Sequence, residues 1–322
     1  MSHFTSPKSE LFFSKKDPLD PRWGEIFHFQ KTSQTKGTGF VILGYPDDEG
    51  IQKNGGRPGA KEGPDHIRSW LYRMTPSRNP QGSFEDLGNL QDFEKDTLET
   101  RHAFASEKLQ AALSEGKKAL TFGGGHDYGF PDGLAFLNTF SEGKDVRERP
   151  LVINFDAHLD VRDLSRGITS GTPFFRLRTH SKNFDMIQVG IQNQCNALHH
   201  LEWCRDNDIE VLFLNEFYGK KESLAEVFER RFKNHLDKKR SAFISIDIDG
   251  FSHAYAPGCS QSWPTGIEPR DFFPLLQILM DALDVKLLSL YEVSPPLDLA
   301  SATSKLAAQI AYRFLEASCL KN

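Results

Sequence analysis

Residues 150–160 read PLVINFDAHLD, an unbroken apolar run that ends abruptly in alternating acid and imidazole. A run of this kind fits a strand buried on both faces, as in a parallel sheet covered by helices. Six more share its character: GFVILGY (39–45), KALTFG (118–123), DMIQVGI (185–191), VLFLNE (211–216), AFISIDID (242–249) and VKLLSLYEV (285–293). Helical patterns separate them near 61–75, 98–115, 128–140, 196–206, 222–236, 269–282 and 300–317. Strand and helix in alternation predict an α/β chain around a mainly parallel central sheet.

The chain has 322 residues, 38% of them hydrophobic and 26% charged, enough for a large core. No linker or repeat divides it, so one catalytic domain is expected over 38–322, preceded by a loosely packed extension over 1–37. A net charge of −5 gives no basic footprint for nucleic acid. The first residues contain no apolar core of a secretory signal, and no stretch is long and apolar enough to span a bilayer, so a cytoplasmic protein without membrane partners is expected. Cys195, Cys204, Cys259 and Cys319 form no C-x-x-C pair and read as reduced thiols, Cys259 being the one to watch.

In a parallel sheet, ligands bind beyond the carboxyl ends of the strands. The unusual residues of this sequence fall there. One run ends in Asp156, His158 and Asp160, another in Asp247 and Asp249, and a third leads through TFGGGHDYGF (121–130) to His126. Residues two apart on an extended chain point to the same side, so these groups converge. Four or five carboxylates facing one point repel one another and are costly to bury unless cations sit among them. Two imidazoles and four carboxylates without a thiolate suit two hard or borderline divalent ions such as manganese, which together can activate water.

The glycines before His126 do not match a nucleotide cradle. GGGHDYG is neither G-x-G-x-x-G nor G-x-x-x-x-G-K-[ST], and a tight path that turns His126 inward explains them better.

GGGHD, DAHLD and SIDID, followed by APGCSQSWPTG and LYEVSPPLD, resemble the ureohydrolase superfamily of arginases, agmatinases and formimidoylglutamases, as does the earlier stretch 44–68. The resemblance covers nearly all of the chain after residue 38. It implies a three-layer α/β/α arginase-like fold and two Mn2+ ions per subunit. His126, Asp156, His158, Asp160, Asp247 and Asp249 would be the ligands, with Asp156 and Asp247 as bridges. It also implies a small amidine or guanidine substrate and a homo-oligomer, trimeric or hexameric. Glu292, in LYEVSPP, would face the cationic end of the substrate, where a carboxylate can pair bidentately with a planar amidinium. Asp160 or a water would supply the proton for the leaving amine.

Departures within the family narrow the substrate. Gly125 stands where arginases and agmatinases usually carry aspartate, and Ser252 and His253 replace a further D-P, both of which lean toward formimidoylglutamase. Arg162, two residues past Asp160, offers a fork of donors to a carboxylate, and Arg57 in NGGRPGA is a second candidate. N-formimidoyl-L-glutamate, split by water to glutamate and formamide in histidine degradation, is therefore the expected substrate. The alternatives are another ureohydrolase releasing urea from a guanidino compound, and a catalytically silent binding protein. His199 and His200, adjacent on a helix, read as helix surface, and His253 stays ambiguous.

Overall fold

Apolar strands of five to eight residues, connected by helices, leave the chain one economical way to bury both faces: a single sheet between two helical layers. The computed structural model, which describes residues 3–27, 39–91, 96–141, 149–236 and 240–319, shows this arrangement. Its strands are β1 (Phe4–Thr5), β2 (Gly39–Gly44), β3 (Ser83–Leu90), β4 (Lys118–Phe122), β5 (Leu151–Phe155), β6 (Asp185–Ile191), β7 (Ile209–Phe213), β8 (Ser241–Asp247) and β9 (Asp284–Tyr291). The helices are α1 (Trp23–Ile26), α2 (Glu49–Lys53), α3 (Gly63–Leu71), α4 (Leu98–Ser114), α5 (Gly129–Phe140), α6 (Pro173–His180), α7 (Leu198–Asp206), α8 (Leu224–Leu236), α9 (Pro269–Ala282) and α10 (Ala302–Cys319).

The sheet order is β1-β3-β2-β4-β9-β8-β5-β6-β7. Every pairing is parallel except β1 with β3. Alternation along each strand divides the core: Phe40 and Ile42 pack on the face covered by α3, α9 and α10, while Val41 and Leu43 pack on the face with α4 and α5. The expected three-layer fold is thus the observed one. No helix among the described residues is long and apolar enough to cross a membrane.

All seven predicted strands are present, with ends displaced by a few residues. β3 is an addition. Its sequence, SFEDLGNL, carries two acids, yet Asp86 is fully buried. Arg68 from α3 pairs with it through two hydrogen bonds of 2.8 and 3.0 Å, and Tyr72 Oη donates at 2.5 Å. The ion pair satisfies both charges, so a strand can carry them inside.

The described amino-terminal residues include a few anchored points. β1 adds an antiparallel edge strand to β3, and Trp23 is fully buried against Phe27 and Phe84. Two backbone bonds, Trp23 N–H to Met74 O and Gly24 N–H to Tyr72 O, hold the segment at 3.0 and 3.2 Å. Aromatic anchors, not periodicity, fix it. The expected boundary at 37/38 lies outside the described residues.

Candidate metal centre

Four adjacent strands, β4, β9, β8 and β5, deliver the candidate residues at their carboxyl ends. Register aligns them. Phe155 pairs with Ile246, so one further step sets Asp156 beside Asp247. Asp247 pairs with Tyr291, which brings Glu292 to the same rim.

After β4 the three glycines bring the loop close against the Tyr291 ring, the Asp47 backbone and the Asp127 side chain in turn. A Cβ at Gly124 would lie 1.8 Å from the Asp47 carbonyl oxygen, and Gly125 N–H donates to that oxygen at 2.9 Å. At Gly125 an added Cβ would meet Asp127 Oδ1 at 2.3 Å. The carboxylate of Asp127 therefore occupies the space that a side chain at 125 would take.

His126 and His158 each gather carboxylates. His126 Nδ1 lies 3.2 Å from Asp156 Oδ2, 2.9 Å from Asp160 Oδ2 and 3.2 Å from Asp247 Oδ2. Although fully buried, this nitrogen has no hydrogen-bond partner of acceptable geometry. Its ring is held from the other side by Nε2 against Ser245 Oγ at 3.0 Å, and Tyr291 stacks on it at 4.7 Å. His158 Nδ1 lies 3.1 Å from Asp249 Oδ2 and 3.4 Å from Asp156 Oδ1.

Two donor groups result: His126, Asp156, Asp160 and Asp247, and Asp156, His158 and Asp249. Asp156 belongs to both, one oxygen turned to each. Octahedral ligands about 2.1 Å from a common ion stand about 3 Å apart, close to the separations here. An orphaned buried nitrogen facing three carboxylates, in a set without sulfur, fits a hard divalent cation. Asp247 contributes Oδ2 to the first group, while its Oδ1 accepts from Asp249 N–H at 2.9 Å.

The protonation of these side chains reflects the same crowding. Burial, then the charges of Asp247 and Asp249, pushes Glu292 well above the usual carboxylate range. Burial, then Asp249 and Asp156, does the same to Asp247. Burial pushes Asp249 up to about 6, and His158 only partly offsets it. Burial would raise Asp156 too, but the neighbouring imidazoles of His126 and His158 outweigh it and hold the group low. Burial disfavours the charged imidazoles, yet surrounding carboxylates raise His126 and His158 well above their ordinary values.

Asp160 and Glu292 have left-handed backbone, with φ of 51° and 64°. Such strain in residues without a glycine's freedom is concentrated at functional sites. Glu292 is held between two bonds to the glycine loop: its N–H donates to Gly124 O at 2.8 Å, and its Oε1 accepts from His126 N–H at 3.2 Å.

A cavity of about 260 Å³ opens over these groups, with Asp160, Asp247, Asp249 and Glu292 on its inner wall. Arg162 reaches its mouth and donates to Asn54 Oδ1 at 2.8 Å. Arg57 is not among the residues that line this cavity. Its guanidinium is engaged by the carbonyl oxygens of Cys259 and Ser260, at 2.9 to 3.2 Å, and so braces the 256–262 loop instead of lining the cavity. Cys259 is buried in that loop and its thiol is pushed well up by burial, which leaves it inert. His253 pairs with Ser262 Oγ at 3.0 Å on the exposed side of the loop. His200, expected on a helix surface, is half-buried and lines the cavity.

Supporting residues escaped the sequence reading. Asp127 Oδ2 pairs with His102 Nε2 at 2.8 Å, and Arg176 Nη1 donates to His102 Nδ1 at 2.9 Å. Asp132 accepts from Tyr45, Thr121, Ser289 and Tyr291 beneath the stacked imidazole. Both networks need partners remote in sequence, so no local motif marks them.

A profile of the arginase family matches residues 38–316. Formimidoylglutamase of Legionella pneumophila (strain Paris) is 31% identical over 315 residues, which cover 95% of this chain and 92% of that protein. Formimidoylglutamase of Staphylococcus epidermidis (strain RP62A) is 29% identical over 295 residues, 91% of this chain and 90% of that protein. Among solved structures, formiminoglutamase of Trypanosoma cruzi with Mn2+ superposes with a TM-score of 0.80 at 28% identity, covering 94% of this chain and 100% of its own.

Proposed function

The chain belongs to the arginase family, and on that premise we propose that it hydrolyses N-formimidoyl-L-glutamate to L-glutamate and formamide, as a step of histidine degradation. The observation that carries the reading is the placement of Asp156, with its two oxygens 3.2 and 3.4 Å from two different imidazoles. Similarity to formimidoylglutamases, including one solved with Mn2+, supports the substrate and the metal.

His126, Asp156, Asp160 and Asp247 would hold one manganese ion, and Asp156, His158 and Asp249 the other. Bound there, the pair supplies Lewis acidity and makes water nucleophilic near neutral pH. Everything else falls to the protein. Glu292, fixed by the glycine loop, takes the planar amidinium through paired N–H donors. Arg162 holds a carboxylate at the mouth, so the formimidoyl carbon lies between an acidic floor and a basic rim. Water oxygen adds to that carbon, the bond to the glutamate nitrogen breaks, and the leaving amine takes up a proton for which Asp160 is the carrier.

The test offers the manganese-reconstituted protein N-formimidoyl-L-glutamate, arginine, agmatine and guanidinobutyrate, and follows formamide and urea. Formamide from the first alone, abolished in Asp156→Ala, is the expected result. Urea from a guanidine would transfer the assignment to another activity of the family.

A further inference from the structure

The cavity over the metal centre is not isolated. A second cleft of about 490 Å³ adjoins it, and Asn54, Arg162 and His200 form the shared wall. The two hollows differ in charge. Acids line the inner one, whereas Lys53, Arg162, Arg166 and the imidazoles of His199 and His200 line the outer one, with Asp163 as its acid.

Two of these groups are already engaged. Lys53 pairs with Glu49 at 2.6 Å, and the Asp163 carboxylate accepts from Ser165. Arg162 differs: its hydrogen bond among the described residues goes to the carboxamide of Asn54, which leaves the guanidinium charge without a carboxylate. His200 sits beside it at the start of α7. Burial, then His199 and Arg162, lowers its pKa, so it meets a ligand mainly as neutral imidazole, which still carries one N–H donor.

A substrate with an amidine at one end and two carboxylates at the other needs two sets of donors at the rim. Arg162 is one. Arg57 cannot be the second while its guanidinium braces Cys259 and Ser260. Resting on the function proposed above, we propose that His200, together with Arg162 and Asn54, forms a carboxylate subsite on the shared wall and determines the preference for acidic over neutral amidines. The ligand class is a linear amidine ending in a dicarboxylate.

The test compares wild type, His200→Leu and His200→Asn, all loaded with manganese. The quantity read is the ratio of kcat/KM for N-formimidoyl-L-glutamate to that for N-formimidoyl-propylamine, an amidine that carries no carboxylate. Loss of a hydrogen bond to a charged group should lower this ratio about ten- to a hundred-fold in His200→Leu. His200→Asn, which keeps a donor, should recover part of it. Calorimetry with L-glutamate gives a readout without turnover, and its Kd should rise by a similar factor in His200→Leu. A half-exposed position on a nine-residue helix tolerates both changes. Specificity and glutamate affinity within about twofold of wild type would overturn the subsite while leaving the proposed activity standing. If wild type does not hydrolyse the acid substrate, that activity falls, and glutamate affinity alone decides the subsite: unchanged binding in His200→Leu refutes it.

Discussion

Gly125→Asp, which restores the residue usual in related arginases, should damage this protein. The backbone there, φ −71° and ψ 153°, suits any residue, so the obstacle is space. A Cβ would stand 2.3 Å from Asp127 Oδ1 and 3.1 Å from Ile51 Cγ1. Overpacking of this kind costs about 1–3 kcal/mol. A second buried carboxylate beside Asp127, whose Oδ1 already lacks a hydrogen-bond partner, adds about 1–3 kcal/mol more through repulsion and desolvation. The sum, roughly 2–6 kcal/mol, corresponds to a fall in Tm of about 3–9 °C in a chain of this size. Scanning calorimetry on metal-free protein reads it without the linkage that bound metal introduces. In an Asp127→Ala background the obstructing carboxylate is gone, so Gly125→Asp should cost less there by at least about 1 kcal/mol. A Tm within about 1 °C of wild type, or the same cost in both backgrounds, would refute the idea that Asp127 fills that space.

Three other perturbations follow from the same structure. Glu292→Gln should lower kcat/KM at least about a hundred-fold with metal content unchanged, because the amidinium loses its charged partner; atomic absorption and steady-state kinetics check this, and full activity would contradict it. Metal-free protein should be less stable near pH 8 than near pH 6: Asp249 at about 6 and the raised Asp247, Glu292, His126 and His158 make the folded chain hold more protons than the unfolded one, so stability is lost as pH rises through their folded values. Asp156, held low, adds stability above about pH 4 and does not change across that window. Thermal melts in chelator give the sign, and a Tm that rises toward pH 8 would be the wrong one. Trp23→Ala should cost about 3–5 kcal/mol in urea unfolding, since a fully buried indole leaves a large cavity; a loss under about 1 kcal/mol would leave the amino-terminal segment a loose extension.

The central strands were legible because they are buried on both faces, which writes continuous apolar runs into the sequence. β3 was not, since its acids are satisfied by partners outside the strand itself, Asp86 by Arg68 and Tyr72 and Glu85 by Lys117. α6 hid for a related reason: PFFRLRTH is eight residues long, and the half-buried Arg176 and buried Arg178 break up its apolar face. The convergence of His126, Asp156, His158, Asp160, Asp247 and Asp249 could be anticipated from alternation at strand ends, because parallel register carries neighbouring ends to one rim. Where a long side chain finally points is another matter. Arg57 and His200 take their places through contacts with Ser260 and the cavity wall that no local spacing encodes.

The most direct test of the account is anomalous diffraction at the manganese edge from crystals of the Mn2+-saturated protein. Two peaks are predicted, one among His126, Asp156, Asp160 and Asp247 and the other among Asp156, His158 and Asp249, with Asp156 reaching both. A single peak, or density away from these side chains, would contradict it.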